Sequence, residues 1–308
     1  MLTPNQKVGI NQGEIEGRAA LGDADGSKRC VSGAYSPIEH LAKTLCCSRD
    51  WPHLRLGMFT AAFDSAGTEH DQPFLVTAGF ISSANDWIEF DERWRARLSR
   101  DDIKYFHMVE FAQSTVQFEG WKNDEPRRRA LFADLLELIS TYAYRRFGCA
   151  ISTHRWSSRM SKTNVEQFRI NAYCVAGMIS VARVDKWARQ ERIGTPVGIV
   201  FEDGDIGKGM LQTRLSPRKP DPEFRKKKDE LRDGVLIPAF TPLQAADLLA
   251  YEIFVALRKY DKAIETSGEY APRYGLRYFE KMPEEIRYME PQDFANLGGM
   301  LTGIDALL

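Results

Sequence analysis

The chain has 308 residues and a formal net charge of −1, so it is long enough for one large domain or two ordinary ones, and no overall charge draws it to nucleic acid or to a membrane surface. The five cysteines follow no metal-ligand spacing and no even-numbered framework, which favours reduced thiols and a cytoplasmic location. No apolar run approaches the roughly 18 residues of a membrane span, so we expect no membrane partner.

Residues 1–55 have the weakest pattern of the chain. Glycines interrupt this region repeatedly, and only Pro37–Cys47 predicts a short helix. We therefore predict a flexible or loosely attached leader over residues 1–55. A single α/β domain follows over residues 56–308 and ends in an irregular extension.

The leader is followed by the stretch LGMFTAAFDSAG, Leu56–Gly67. Its uncharged residues Gly57–Phe63 predict a strand buried on both faces, as a central strand is. Asp64 stands where this strand ends, a position suited to holding a metal ion or a substrate. The alternative is that Asp64 only caps the turn through its own side chain.

A second apolar strand, Pro73–Ser82, comes after a short polar turn and predicts an antiparallel hairpin with the first. Strands then alternate with helices, which predicts a mixed α/β sheet covered on both faces. The later predicted elements are an extended segment or third strand at Ile103–His107, a helix at Glu125–Tyr144, a strand at Phe147–Thr153, a helix at Asn164–Arg192, a strand at Pro196–Phe201, a surface excursion at Leu211–Arg232, a brief strand or loop at Gly234–Phe240 and a helix at Leu243–Lys259.

Acidic residues follow two of these strands and lie on the last helix. Asp64 ends the first strand, and Glu202 ends the strand at Pro196–Phe201, with Asp203 and Asp205 close behind. Asp247 lies three residues after Gln244 in LQAADLLAYE, so the two share a helix face.

Carboxylates held close together repel one another, and Mg²⁺ or Mn²⁺ relieves that repulsion because these ions prefer oxygen ligands. The alternative is three unrelated acids: a turn cap, a solvated loop and a helix-face acid bonded to a neighbour.

The turn DSAG, the strand end VFED and the helix PLQAADLLAYE resemble the domain-of-unknown-function 3800 family over about Met58 to Lys259. This family is similar to ribonuclease H-like folds, in which acids at strand ends and on a late helix bind two metal ions. The resemblance implies that Asp64 is the first-strand aspartate and that Gln244 and Asp247 form the late helix motif. It implies Glu202 as the mid-chain acid, with Asp203 or Asp205 as fallbacks.

The family has a glutamate where this chain has Ser65, so a ligand or orienting group is replaced. We predict a metal-dependent nuclease or phosphodiesterase whose substrate the sequence leaves open, with nucleic acid as one candidate partner. Asp64, Glu202 and Asp247, with Asp205, hold Mg²⁺ or Mn²⁺, which activates water. Gln244 orients a ligand or contacts the substrate.

The alternative function, which Ser65 favours, is a catalytically weak or inactive module of a defence or mobile-element system that binds nucleic acid or protein.

Other polar groups have weaker signals. His107 and Glu110 are candidates for a proton shuttle, or are polar groups at a strand end. The basic runs Arg225–Lys228 and Arg127–Arg129 could follow a nucleic-acid backbone, although solvated helix faces are the commoner explanation. Lys208 in GDIGKG could steady a phosphate or be solvated.

Overall fold

The computed structural model of the chain describes residues 36–45, 58–69, 71–159 and 170–295, together with 297 and 299. All of these belong to one of two compact units, Tyr35–Leu308; the other unit, Met1–Ala34, lies outside the described residues. The prediction of a loose leader therefore falls largely outside the described residues.

One part of the predicted leader is described, the helix α1 at Pro37–Leu45. Its Ile38 and Leu41 are 1% and 2% exposed and lie in a hydrophobic core that includes residues of the central sheet. This helix therefore packs on the domain, unlike the loose attachment that we predict for residues 1–55.

A six-stranded mixed sheet forms the centre of the described structure. Its strands are β1 (Phe59–Ala66), β2 (Phe74–Ser83), β3 (Arg145–Ser152), β4 (Gly198–Glu202), β5 (Glu223–Arg225) and β8 (Glu284–Tyr288), and a separate hairpin consists of β6 (Glu230–Arg232) and β7 (Val235–Ile237). The order across the sheet is β5-β4-β1-β2-β3-β8. Strand β2 is antiparallel to both of its neighbours, whereas the other pairs in this sheet are parallel. The predicted α/β class and the predicted hairpin are thus confirmed.

Helices cover both faces of the sheet. Successive residues of a strand point to opposite sides, so Ala62 belongs to the core beneath the helices Ala84–Ser99 and Pro242–Glu265, whereas Phe63 belongs to the core beneath the helix Ala172–Gln190. No helix among the described residues has the length and apolar composition that crossing a membrane requires. After α1, the helices are α2 (Ala84–Ser99), α3 (Met108–Gln113), α4 (Glu125–Tyr142), α5 (Thr153–Arg159), α6 (Ala172–Gln190), α7 (Lys208–Leu215), α8 (Pro242–Glu265), α9 (Tyr274–Tyr278) and α10 (Pro291–Ala295), with a 3-10 helix at Val116–Trp121.

Ile103–His107, predicted as an extended segment or a third strand, contains no strand and leads into α3. Two other segments differ from the sequence prediction. The predicted surface excursion Leu211–Arg232 contains β5, which pairs with β4 and extends the sheet. The tail contributes β8, which pairs with β3 at the opposite edge. The helix predicted from Asn164 is described from Ala172 onward, since residues 160–169 lie outside the described residues.

Gly67 allows the turn after β1 to pass close beneath helix α8. Its φ of +76° lies in the left-handed region, and a Cβ atom there would stand 2.0 Å from the carbonyl oxygen of Phe74 and 2.8 Å from the ring of Phe254. A larger residue would therefore push α8 away from the strand end that carries Asp64.

Candidate functional site

The carboxyl ends of β1, β4 and β5 meet at one edge of the sheet. Phe63 pairs with Phe201 in the parallel β1–β4 ladder, so Asp64 and Glu202 follow side by side. Glu202 in turn pairs with Arg225 of β5, and the chain continues from there into three lysines. The register of parallel strands thus brings basic residues next to the two predicted acids.

Helix α8 brings Asp247 to the same place. The first half of this helix is buried on all sides, and Asp247 is 5% exposed. Asp247 Oδ2 accepts a hydrogen bond of 2.6 Å from the backbone N–H of Met108, at the start of α3. A buried carboxylate needs such a partner. Because this bond holds Oδ2, the other oxygen, Oδ1, faces Lys227 at the strand ends.

Lys227 joins the predicted residues to one another. Its Nζ lies 2.5 Å from Asp64 Oδ2 and 2.9 Å from Asp247 Oδ1. Its carbonyl oxygen accepts a 2.7 Å hydrogen bond from Gln244 Nε2. Lys227 therefore contacts three of the five residues that the sequence singles out, and its positive charge opposes the rise in the pKa of a fourth, Glu202. The sequence does not single out Lys227 itself.

Asp64, Glu202, Asp205 and Asp247, which we call the carboxylate cluster, carry more negative charge than Lys227 can neutralise. Burial raises the pKa of Asp64 to about 7 against the pull of Lys227, and Asp247 adds to the rise. Burial and the neighbouring Asp64 raise the pKa of Glu202 to about 8. Although burial alone would lower it, the surrounding carboxylates raise the pKa of Lys227 above its usual range. Lys227 is thus protonated, and the acids around it outnumber it.

Two buried polar atoms at the cluster have no hydrogen-bond partner among the described residues: Glu202 Oε2 and the hydroxyl of Tyr173. Tyr173 is 2% exposed, and its pKa is raised by burial and by the charges of Asp205 and Asp64. The sequence places Tyr173 only among the apolar positions of its helix. Its hydroxyl and the Glu202 oxygen are free to serve a ligand, since buried polar groups are ordinarily bonded.

Ser65 occupies the position where the resembled family has glutamate. Its hydroxyl donates to Asp205 Oδ2, and its backbone N–H donates to Asp64 Oδ1 at 2.7 Å. Asp64 therefore does bond its own turn, as the alternative reading of the sequence expects, but its other oxygen faces Lys227 and the cluster.

Gln244 is 1% exposed and is bonded through both of its polar atoms. Its Oε1 accepts from Trp94 Nε1 and from the backbone N–H of Phe106, each at 2.8 Å, while its Nε2 donates to Lys227. Gln244 thus ties α2, the segment before α3 and the Lys227 loop together. This geometry favours an orienting role over contact with a substrate.

His107 and Glu110 lie beside the cluster. His107 Nδ1 is 3.0 Å from Glu110 Oε1, and His107 Nε2 is 3.7 Å from Asp247 Oδ1. Glu110 also accepts from the hydroxyl of Tyr105 at 3.0 Å and from Lys228 Nζ at 3.1 Å. Although burial opposes them, the hydrogen bonds from His107 and Lys228 lower the pKa of Glu110. The histidine is therefore held between an ionised glutamate and the cluster.

The basic runs and Lys208 bond to groups of the chain itself. Lys226 Nζ donates to the carbonyl oxygen of Asp203, and Lys208 Nζ lies 2.6 Å from the Asp203 carboxylate. Arg127 on α4 lies 2.9 Å from Asp101. The run Arg225–Lys228 spans the end of β5 and the loop after it, so the interpretation as a solvated helix face is wrong for this run.

Whether these residues suit a divalent cation depends on how many ligand side chains are grouped together and on which groups those side chains already bond. Among the described residues, no three His, Cys, Asp or Glu side chains are grouped so that they could hold a metal ion. Mg²⁺ is commonly bound through one or two carboxylates, with waters and substrate phosphates completing its shell. Asp64 and Asp247 already share one cation, the Lys227 ammonium. The donor set fits this open kind of site.

Glu202→Gln should make the stability of the protein less dependent on pH. A carboxylate whose pKa rises from 4.5 to about 8 on folding costs stability as the pH rises through that window. We expect the variant to match the wild type near pH 4.5 and to exceed it by about 2–4 kcal/mol near pH 8, measured by urea unfolding without metal. The control, Glu269→Gln at an exposed position, should show no such gap; equal pH profiles for Glu202→Gln and the wild type would contradict the assignment.

Comparisons with known proteins leave the family of this chain open. No family model matches it, and comparisons with curated proteins and with solved structures found no match. The function must therefore be inferred from the geometry of the site and from the sequence motifs.

Proposed function

We propose that the protein is a metal-dependent nuclease or phosphodiesterase that uses Mg²⁺ or Mn²⁺. The observation that carries this proposal is that Asp64 and Asp247, from motifs far apart in the sequence, hold one cationic group between them. Glu202, beside Asp64 on the neighbouring parallel strand, supports the ribonuclease H-like assignment that the motifs imply. The buried free thiols Cys149 and Cys174 are compatible with a cytoplasmic location, which we include in the proposal.

Each side chain has a definite part in this proposal. A bound divalent cation would stabilise the developing charge on phosphoryl oxygens and acidify water. Asp64 and Asp247 bind the cation, each with its second oxygen fixed by a backbone N–H. His107 exchanges a proton through Nε2, and Glu110 holds its Nδ1. Lys227 can neutralise a phosphate oxygen.

The test is cleavage of single- and double-stranded DNA and RNA in Mn²⁺ or Mg²⁺. Asp64→Asn should abolish turnover and leave the fold intact, because the amide keeps the shape of the side chain but weakens its hold on a cation. Asp203→Asn is the matched control, since Asp203 also follows β4 but its carboxylate pairs with Lys208. This control should keep its activity.

Chelation should stop cleavage by the wild type as completely as Asp64→Asn does. Undiminished cleavage by Asp64→Asn, or equal loss in Asp203→Asn, would remove the assignment of the site.

A second candidate, a catalytically weak or inactive module that binds nucleic acid or protein, is favoured by one observation. Lys227 already pairs with both Asp64 and Asp247, and Ser65 stands where the resembled family has an acidic residue. Binding of nucleic acid that is insensitive to chelator, without any cleavage, would support this function over the first.

A further inference from the structure

We propose that Lys227 is the built-in counter-ion of the site. A divalent cation binds the site only by displacing the Lys227 ammonium, so Lys227 sets the affinity of the site for that cation. This inference rests on the proposed function, because it assumes that Asp64 and Asp247 take a cation. It assigns to Lys227 a part that neither the motifs nor the spacing of the acids indicates.

The two cations compete for the same oxygen atoms. Lys227 Nζ lies 2.5 Å from Asp64 Oδ2 and 2.9 Å from Asp247 Oδ1. A Mg²⁺ ion bound by these two oxygens would lie about 2.0–2.1 Å from each of them. It would then occupy nearly the position of the ammonium, and two cations cannot share that space. The metal ion and the Lys227 ammonium therefore cannot occupy the position between Asp64 and Asp247 at the same time.

The side chain of Lys227 can leave while its backbone stays in place. The carbonyl oxygen accepts a 2.7 Å hydrogen bond from Gln244 Nε2, and this bond does not depend on the ammonium. The side chain is 12% exposed, so a path to solvent exists, and its four-carbon stem is flexible. Displacement thus needs rotations of one side chain and no change in the sheet.

The charge balance allows the exchange. A divalent cation brings two positive charges where the ammonium brings one, into a cluster of four carboxylates. Glu202 Oε2 is buried without a hydrogen-bond partner among the described residues, so one oxygen beside Asp64 is ready for a stronger cation. The released ammonium keeps its charge and faces the site, where it suits the phosphate of a substrate.

The first experiment measures Mn²⁺ binding by electron paramagnetic resonance of the free ion. Lys227→Gln should bind Mn²⁺ at least about tenfold more tightly than the wild type, because the competitor is gone. Lys228→Gln is the matched control: the neighbouring lysine pairs with Glu110 and should leave the affinity unchanged. Asp64→Asn combined with Lys227→Gln should lose the gain. Equal affinity of Lys227→Gln and the wild type, or no binding by either, would overturn the inference.

The second experiment uses the wild type, so it holds even if Lys227→Gln fails to fold. Lysines labelled with ¹³C at Cε are observed by NMR during a Mg²⁺ titration, and the Lys227 signal is assigned with Lys227→Arg, which keeps the charge. The signal should move toward that of solvated lysines as Mg²⁺ saturates. A signal that stays unchanged up to saturating Mg²⁺ would overturn the inference.

Failure of the inference and failure of the proposed function can be told apart. Displacement of Lys227 without cleavage of any nucleic acid would leave the inference standing and remove the nuclease. Cleavage without displacement would do the reverse.

Discussion

Gln244→Leu should lower the free energy of unfolding by about 3–6 kcal/mol. The leucine fills the space but leaves three groups unbonded: Trp94 Nε1, the Phe106 N–H and the Lys227 carbonyl oxygen. Each buried group without a partner costs about 1–3 kcal/mol. Trp94 and Phe106 are both 0% exposed, so water cannot replace the lost bonds. Chemical denaturation at neutral pH measures the loss.

Gln117→Leu is the control for this prediction because it makes the same substitution at a residue that bonds to the same loop before α3. Gln117 accepts from the backbone N–H of Lys104 at 2.7 Å and donates to the carbonyl oxygen of Tyr105 at 3.0 Å, but nearer the surface. We expect a loss of less than about 1 kcal/mol, since water can replace these bonds. Similar losses in the two variants would contradict the orienting role of Gln244.

The central part of the fold was open to prediction because its signals are local. The uncharged run before Asp64 and the apolar run after the polar turn give the β1–β2 hairpin, whose partners run from Phe59–Ser83 to Ala66–Val76. The LQAADLLAYE segment gives α8, which is buried along its first half. A run of apolar residues is enough to predict elements of this kind.

The edges of the sheet could not be predicted in this way. β5 has three residues, Glu223–Arg225, and β8 reads EEIRY, so neither shows an apolar run or a clean alternation. Such strands form because a neighbouring strand offers free backbone groups, which is a tertiary effect that overrides local preference. Ile103–His107 shows the converse, since its apolar residues face the core from a loop.

The residues of the candidate site also differ in whether a local sequence signal marks them. Asp64, Glu202 and Asp247 can be singled out because an acid next to an apolar run is conspicuous. Lys227 cannot, because its position depends on the pairing of β4 with β5, and β5 itself has no sequence signal. Tyr173 is hidden among apolar helix positions until the fold turns its hydroxyl toward the acids. The basic run Arg225–Lys228 contains Lys227, but the sequence relates that run to a nucleic-acid backbone or to a solvated helix face and not to the acids.

Arg273→Met should destabilise the protein by about 3–5 kcal/mol at neutral pH, because it leaves a buried carboxylate without its counter-ion. Glu252 is 0% exposed on α8, five residues after Asp247 in the chain, and its carboxylate meets the Arg273 fork at 2.9 and 3.1 Å. Losing this pair should loosen the helix that presents Asp247. Thermal and chemical unfolding measure the loss.

The pH dependence of the stability lost in Arg273→Met distinguishes two causes: a buried Glu252 carboxylate without a counter-ion, and the loss of packing by the Arg273 side chain. Burial already raises the pKa of Glu252, and Arg273 opposes that rise, so the variant should raise the pKa further. A folded-state pKa above the unfolded value costs stability as the pH rises, so the deficit of Arg273→Met should shrink on acidification. Adding Glu252→Gln should restore much of the stability at neutral pH.

The control Arg277→Met, at an exposed position of α9, should change stability by less than about 0.5 kcal/mol. A deficit that stays constant with pH and survives Glu252→Gln would mean that Arg273 acts through packing, and that α8 is held in place by its apolar face alone.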